Sequence, residues 1–195
     1  MKNVFFSFLV IALFANLALG QNEKWSSDKS HSTVGFTVDH LVISEVDGKF
    51  SDYTVSAETN AKGELVKVDA IIKTSSVNTD NTDRDKHLAS DDFFGSEKYP
   101  DMKFVSKKIT KTGSNKYKIV GELTIRDVTK TVTLETKFGG QVKDPWGNTK
   151  SGWSATTKIN RFDYGLKWSS TIETGGLVVG KDVKINLRLE FVLNK

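Results

Sequence analysis

Cysteine is absent from all 195 residues, and proline occurs only twice, at Pro100 and Pro145. Without thiols the chain has no disulfide framework and no cysteine nucleophile or metal ligand, so its stability has to come from packing. Histidine is nearly as scarce: His31, His40 and His87 are the only three. A metal centre needs two or three ligands converging with a carboxylate, and none of these histidines has a neighbour at ligand spacing on a common element. No serine stands between glycines in a nucleophile elbow. "GGLVVGKD" at 175–182 lacks the lysine-serine or lysine-threonine ending of a phosphate loop. No basic block is interleaved with aromatics, which removes the usual ground for nucleic-acid binding. After residue 20 no apolar run is long enough to cross a bilayer, so stable membrane insertion is not expected. No motif implies a cofactor or a metal.

The first long apolar run is also the last. Lys2 precedes "VFFSFLVIALFANLAL", then Ala18-Leu19-Gly20 and the polar Gln21-Asn22-Glu23. A basic start, a short apolar stretch and a small-x-small ending make a secretory signal over residues 1–20, with cleavage after Gly20. The expected mature chain is 21–195, periplasmic or secreted, and it is no lipoprotein because there is no cysteine to acylate. Removing Lys2 leaves 27 basic against 24 acidic residues, with the signs interleaved. That balance speaks for solubility and names no partner.

The dominant pattern is a period of two. "STVGFTVDH" carries Val34, Phe36 and Val38 on one side. "LVKVDAIIK" sets Val66, Val68, Ala70 and Ile72 against Lys67, Asp69 and Lys73. "YKIVGELTI" sets Tyr117, Ile119, Gly121, Leu123 and Ile125 against Lys118, Glu122 and Thr124. "VTLETKF" contributes Val132, Leu134 and Phe138. The last run alternates Val183, Ile185, Leu187, Leu189 and Phe191 with Lys184, Asn186, Arg188 and Glu190. Strict alternation over such lengths predicts strands with one buried and one wet face. With weaker runs at 44–58, 102–112 and 150–160 the count is eight, joined by turns at Lys62-Gly63, 112–115 and 145–148. Eight antiparallel strands joined by short turns form either a sandwich or a closed barrel in one all-β domain, and closure leaves no free edge. A homodimer, if one forms, would then have to use loops or outer faces.

Two excursions interrupt the alternation. Residues 76–100 contain "RDKHLASDDFF", where Thr82 with Asp85 resembles a helix N-cap and Gly95 can end a second short turn. Residues 161–182 form a long connection rich in aromatics and glycine, a length typical of lids and binding loops. His87 with Asp91, Asp92 and the nearby Asp80 and Asp83 raises the alternative of a hydrolase. Acidic pairs on a short solvated helix are more usually its wet face. The inward face is made of Phe, Val, Leu and Ile; by composition alone it fits a solid core as well as a hollow one. A solid barrel would suit a structural or stress-response interaction protein.

The succession "DKSHSTVGFTVDHL", "VDGKFSDY", "RDKHLASDDFF", "YPDMKFVS", "GELTIRDVTKTVTL" and "INRFDYGL" resembles the YceI-like family in order and spacing, from Trp25 to Phe191. Asp127 stands where many relatives have glycine, in a turn that aspartate tolerates. The resemblance implies an exported, lipocalin-like eight-stranded barrel with short helical excursions. It also implies a non-enzymatic carrier that holds a polyisoprenoid or related long-chain lipid in an apolar tunnel. Phe36, Val38, Phe50, Leu88, Phe93, Phe104, Ile119, Leu123, Leu134, Trp153, Ile185 and Leu187 are the candidate tunnel residues. Arg84, His87 and Lys167, on the two excursions, are candidates for a polar head group. The stretch 84–94 is then a cover, anchored by Leu88, Phe93 and Phe94, with Arg84 and Asp85 paired to each other or to nearby backbone.

Overall fold

The computed structural model describes residues 22–171 and 175–194; the expected signal segment and its cleavage point lie outside them. One antiparallel sheet takes in all the strands. The first part of the chain makes two bent ribbons. One is β1 (Glu23–Ser27) and β2 (Thr33–His40); the other is β3 (Ser44–Phe50) and β4 (Tyr53–Thr59). Next come β5 (Leu65–Lys73), the two-residue β6 (Val77–Asn78) and the helix α1 (Thr82–Ala89). The remaining strands are β7 (Asp101–Lys111), β8 (Lys116–Ile125), β9 (Val128–Lys143), β10 (Thr149–Asn160) and β11 (Val179–Leu193).

The ring β1–β4–β5–β7–β8–β9–β10–β11 closes through a β1–β11 pairing, with Trp25 opposite Leu193. β2 continues along β11, Val34 opposite Leu187, and carries β3 with it. The barrel is therefore eight-stranded and antiparallel, as expected, but its first two ribbons are each broken in the middle. Asp28 makes the first break, accepting from the Ser30 amide to cap a 3-10 turn at Lys29–His31. Ser51 and Asp52 make the second, where the Ser76 carbonyl and hydroxyl bond their backbone amides.

The alternation reads through to burial along β8 and β9, where Tyr117, Ile119, Leu123, Ile125 and Leu134 are all buried. β5 departs from it. A bulge, with Glu58 paired to Lys67 but Thr59 to Leu65, turns Leu65 inward and leaves Val66 exposed. One extra residue reverses the facing of everything beyond it. A second departure concerns edges. β3 pairs with β6 only at Lys49 and Phe50, so Ser44–Gly48 keeps a free edge, lined by the exposed Glu45 and Asp47. Charge of one sign along an edge opposes strand-to-strand association.

At the end formed by the β4–β5, β7–β8 and β9–β10 turns, the interior is plugged by Trp25, only 2% exposed, by Tyr117 and by the Phe138–Trp153 pair at 4.7 Å. At the opposite end lie the β2–β3 and β8–β9 turns, residues 74–100, and residues 161–171 and 175–178 of the second excursion, whose last four residues belong to β11. The strand pairing sets which loops share an end, and both covers sit over one mouth. Among the described residues no helix is long and apolar enough to cross a membrane.

Candidate functional site: an apolar cavity under two covers

Inside the ring the side chains do not fill the space. They leave an elongated cavity in which the centre of a water-sized sphere has about 190 Å³ to move, more than tenfold the roughly 10–15 Å³ that one water needs. Its wall runs from Phe191, Leu189 and Ala155 near the plugged end to Val179, Leu166 and Leu88 under the covers. All twelve apolar residues singled out from the sequence lie on that wall: Phe36, Val38, Phe50, Leu88, Phe93, Phe104, Ile119, Leu123, Leu134, Trp153, Ile185 and Leu187. The interior is hollow.

Two glycines shape it. Gly48 lies opposite Phe36 on the β2–β3 pair, and the Phe36 ring rests on its Cα. Gly121 gives the same room to the ring of Phe104 from β7. A Cβ at either position would collide with the ring, so these absences of a side chain let two phenylalanines lie along the wall.

The first cover starts with α1. Its N-cap is Asn81, whose side chain accepts from the Arg84 amide, and not Thr82. Arg84 and Asp85 do not pair with each other. Both hold Thr79: the Arg84 Nε donates to Thr79 Oγ1 and Nη2 to its carbonyl, each at 2.8 Å, while Asp85 Oδ1 accepts from the Thr79 amide and hydroxyl. With two of its five N–H groups on Thr79, Arg84 pins the start of the cover, away from the cavity wall. Gly95 adopts φ +56 and ends the turn that brings Phe93 and Phe94 inward. His87 lies 2.9 Å from Asp92 and packs edge-on against both Phe93 and Trp168, ring centroids 5.1 Å apart in each case. It is a strut between the two covers. Lys167 is exposed.

Two arginines that the sequence reading passed over organise the mouth. Arg126, at the β8–β9 turn, takes a positive φ (+58), and its neighbour Asp127 does not. Its guanidinium lies 5.0 Å over Tyr99 and makes long contacts of 3.3 Å to the carbonyls of Asp91, Phe93 and Gly165, tying one cover to the other. Arg161, only 4% exposed, lies on the cavity wall beneath Phe93. Four of its five N–H groups donate to the carbonyls of Leu166, Trp168, Val179 and Gly180 at 2.6 to 3.0 Å. Among the described residues no carboxylate pairs with it, and burial pushes its pKa down. Arginine remains protonated regardless. Among the described residues the only charge on the wall is thus a cation solvated by backbone dipoles, with one N–H that none of them accepts.

A third cluster lies outside the cavity. Asp28, His31 and Glu190 come within reach of one another, a grouping invisible in sequence spacing. The Lys150 ammonium already sits between the carboxylates, 3.1 Å from Asp28 and 2.7 Å from Glu190. Bonds from His31 and then Lys150 lower Asp28 to about 2. This is an ion-pair network that fastens the bend of the first ribbon to β10 and β11.

The YceI-like domain model matches residues 25–191. The chain belongs to the YceI-like family. It is 39% identical over 170 residues to the UPF0312 protein SAR2769 of Staphylococcus aureus (strain MRSA252), covering 86% of this chain and 96% of that one. The YCEI protein of Campylobacter jejuni, a solved structure, is 40% identical with a TM-score of 0.71, covering 86% of this chain and 96% of its own. A polyisoprenoid binding domain from Saccharophagus degradans shares the fold at 14% identity, TM-score 0.62, with 87% and 98% coverage. The YceI-like barrel described above is thus found in solved structures.

Proposed function

We propose that this YceI-like protein is an exported carrier, not an enzyme, and that it holds a polyisoprenoid or related long-chain lipid in its barrel. The observation that carries the reading is the elongated cavity, walled by aliphatic and aromatic side chains and plugged at one end. Such a wall recognises length and apolarity; it offers neither a paired acid and base nor a nucleophile. The shared fold of the polyisoprenoid binding domain supports the same ligand class. Export rests on the leader-like residues 1–20; intact mass of periplasmic protein should begin at Gln21, and retention of residues 1–20 in a membrane fraction would count against it.

The ligand's polar end belongs at the mouth, since burying it unpartnered costs several kcal/mol. There Arg161 offers an N–H and a charge that meet no partner among the described residues, a better site than Arg84, His87 or Lys167. The hydrolase alternative places catalysis on His87, whose ring is instead wedged between Phe93 and Trp168. Native mass spectrometry of protein purified without detergent tests the reading: one long-chain lipid per chain is expected. Protein that emerges empty and rejects prenyl lipids and fatty acids of every length would refute it.

A further inference from the structure

The β2–β3 turn is built from the wrong residues for its geometry. Leu41 and Val42 take φ of +53 and +67, the turn closing with the Ile43 amide donating to the His40 carbonyl. Asparagine and glycine occupy such positions at little cost; a β-branched valine there is a true outlier. The same turn holds two of the most exposed large apolar side chains among the described residues, Val42 at 69% and Ile43 at 86%. Strain kept in order to hold apolar groups in water points to a use for them.

Its position narrows that use. The Leu41 amide donates to the Val178 carbonyl at 3.0 Å, and His40 pairs with Val179. Val179 lines the cavity and its carbonyl is held by Arg161. The tip therefore stands on the rim of the mouth and is bonded to the second cover. Three residues fall far short of the roughly 800 Å² a side that a stable protein interface buries. They are enough to enter the boundary of a bilayer, where each aliphatic side chain leaving water shifts the equilibrium about tenfold or more.

We propose that Leu41-Val42-Ile43 is a foot that dips into a zwitterionic bilayer and holds the mouth against the membrane while lipid enters or leaves. This rests on the carrier reading, because the bilayer is the reservoir of such a ligand. The strand residues beneath the foot are Asp39 and Glu45, facing each other across the hairpin. Lys158 and Lys184 share the cleft that Asp39, Glu45, Glu135 and Asp182 line, so the basic charge there is balanced, the attraction is apolar and it does not need anionic lipid.

Flotation with phosphatidylcholine vesicles tests it. The mature chain should float with the vesicles at both low and high salt, and Val42→Ser with Ile43→Ser should weaken this at least tenfold. Trp146→Ser, an exposed apolar residue at the opposite end, should leave it unchanged. Ile43→Trp should give a blue-shifted emission on adding vesicles, a gain of signal that does not depend on the double variant folding. Loading with lipid from cyclodextrin, without vesicles, separates this idea from the carrier reading. The double variant should load like the wild type. A wild type that loads but does not float, or floats equally well with both serines in place, overturns the foot alone. A wild type that takes no lipid from cyclodextrin overturns the carrier reading itself.

Discussion

Affinity should climb with chain length and then stop, and the barrel sets where. Along the regular part of β11, beyond the irregularity between Val179 and Val183, the cavity wall runs from Val183 to Phe191. That stretch is about 27 Å along the strand at roughly 3.4 Å per residue. Barrel strands tilt by about 40°, which leaves roughly 20 Å along the axis. An extended hydrocarbon advances about 1.2 Å per bond, the same as an extended backbone, so the cavity accommodates about 16 or 17 carbons in line. Each methylene that leaves water contributes about 0.8 kcal/mol, close to fourfold in Kd. Straight-chain fatty acids from C10 to C22, presented as cyclodextrin complexes and followed by titration calorimetry, should gain about fourfold per carbon up to C16–C18 and then level. Each step should also carry a negative heat-capacity change. A flat series from C10 to C16 would mean that the chain does not run through the barrel. Continued fourfold gains to C22 would mean that the far-end plug of Trp25 and Tyr117 opens, contrary to the closed end described above.

Three further perturbations test separate parts of the molecule. Leu123→Lys places a charge on the cavity wall and should abolish lipid binding in a variant that still folds. Its control is Lys118→Gln on the outer face of the same strand, because Lys118 faces Glu135 at 3.2 Å and a glutamate there would set two carboxylates together. Equal losses from the two would place the ligand elsewhere. Asp28→Asn should cost about 1–2 kcal/mol near neutral pH, after allowing for solvent screening. Because folding lowers the Asp28 pKa from 3.8 to about 2, that contribution is full above about pH 4 and fades as pH falls towards 2. Urea curves of the two proteins should therefore converge in acid; a gap that stays constant to pH 2 would show that the Asp28 charge contributes nothing. Arg161→Met strands four carbonyls at once, each about 1–3 kcal/mol if it finds no water. Hydrogen exchange should accelerate across 161–180 while β8 and β9 stay protected, and unchanged exchange there would deny Arg161 its role as the fastener of the second cover.

Much of the barrel was legible in residue alternation because a sheet with one wet face writes its register directly into the chain. Tyr117 to Ile125 and Val183 to Phe191 are the clearest cases, and the apolar candidates drawn from such runs line the cavity. The bulge that exposes Val66 left no trace, since Leu65 and Val66 are equally apolar and the turn alone decides which goes inward. β1 was missed because its five residues bury only Trp25. At the mouth the failure has a different cause. Arg126 and Arg161 act on carbonyls brought together from distant segments, and a charged residue in a loop reads as solvated until that backbone is placed around it. Arg84, His87 and Lys167 all stand on the excursions, but Arg84 and His87 hold the covers and Lys167 points to solvent. The family motif "INRFDYGL" marked the right segment without saying what its arginine does.

The broken second ribbon has a consequence for the wall. Past Phe50 and Tyr53 the ribbon divides, β4 staying with β5 while β3 leans towards β2, and the sector between them is spanned by residues 74–100. Around most of its circumference the wall is a hydrogen-bonded ladder, but this sector is attached to β3 by two residue pairs, Lys49–Asn78 and Phe50–Val77. Displacing it leaves the ring β1–β4–β5–β7–β8–β9–β10–β11 intact. The barrel is therefore a slotted tube more than a bottle: on this side its wall is closed by a cover seated on β3 at two residue pairs, and not by a full ladder.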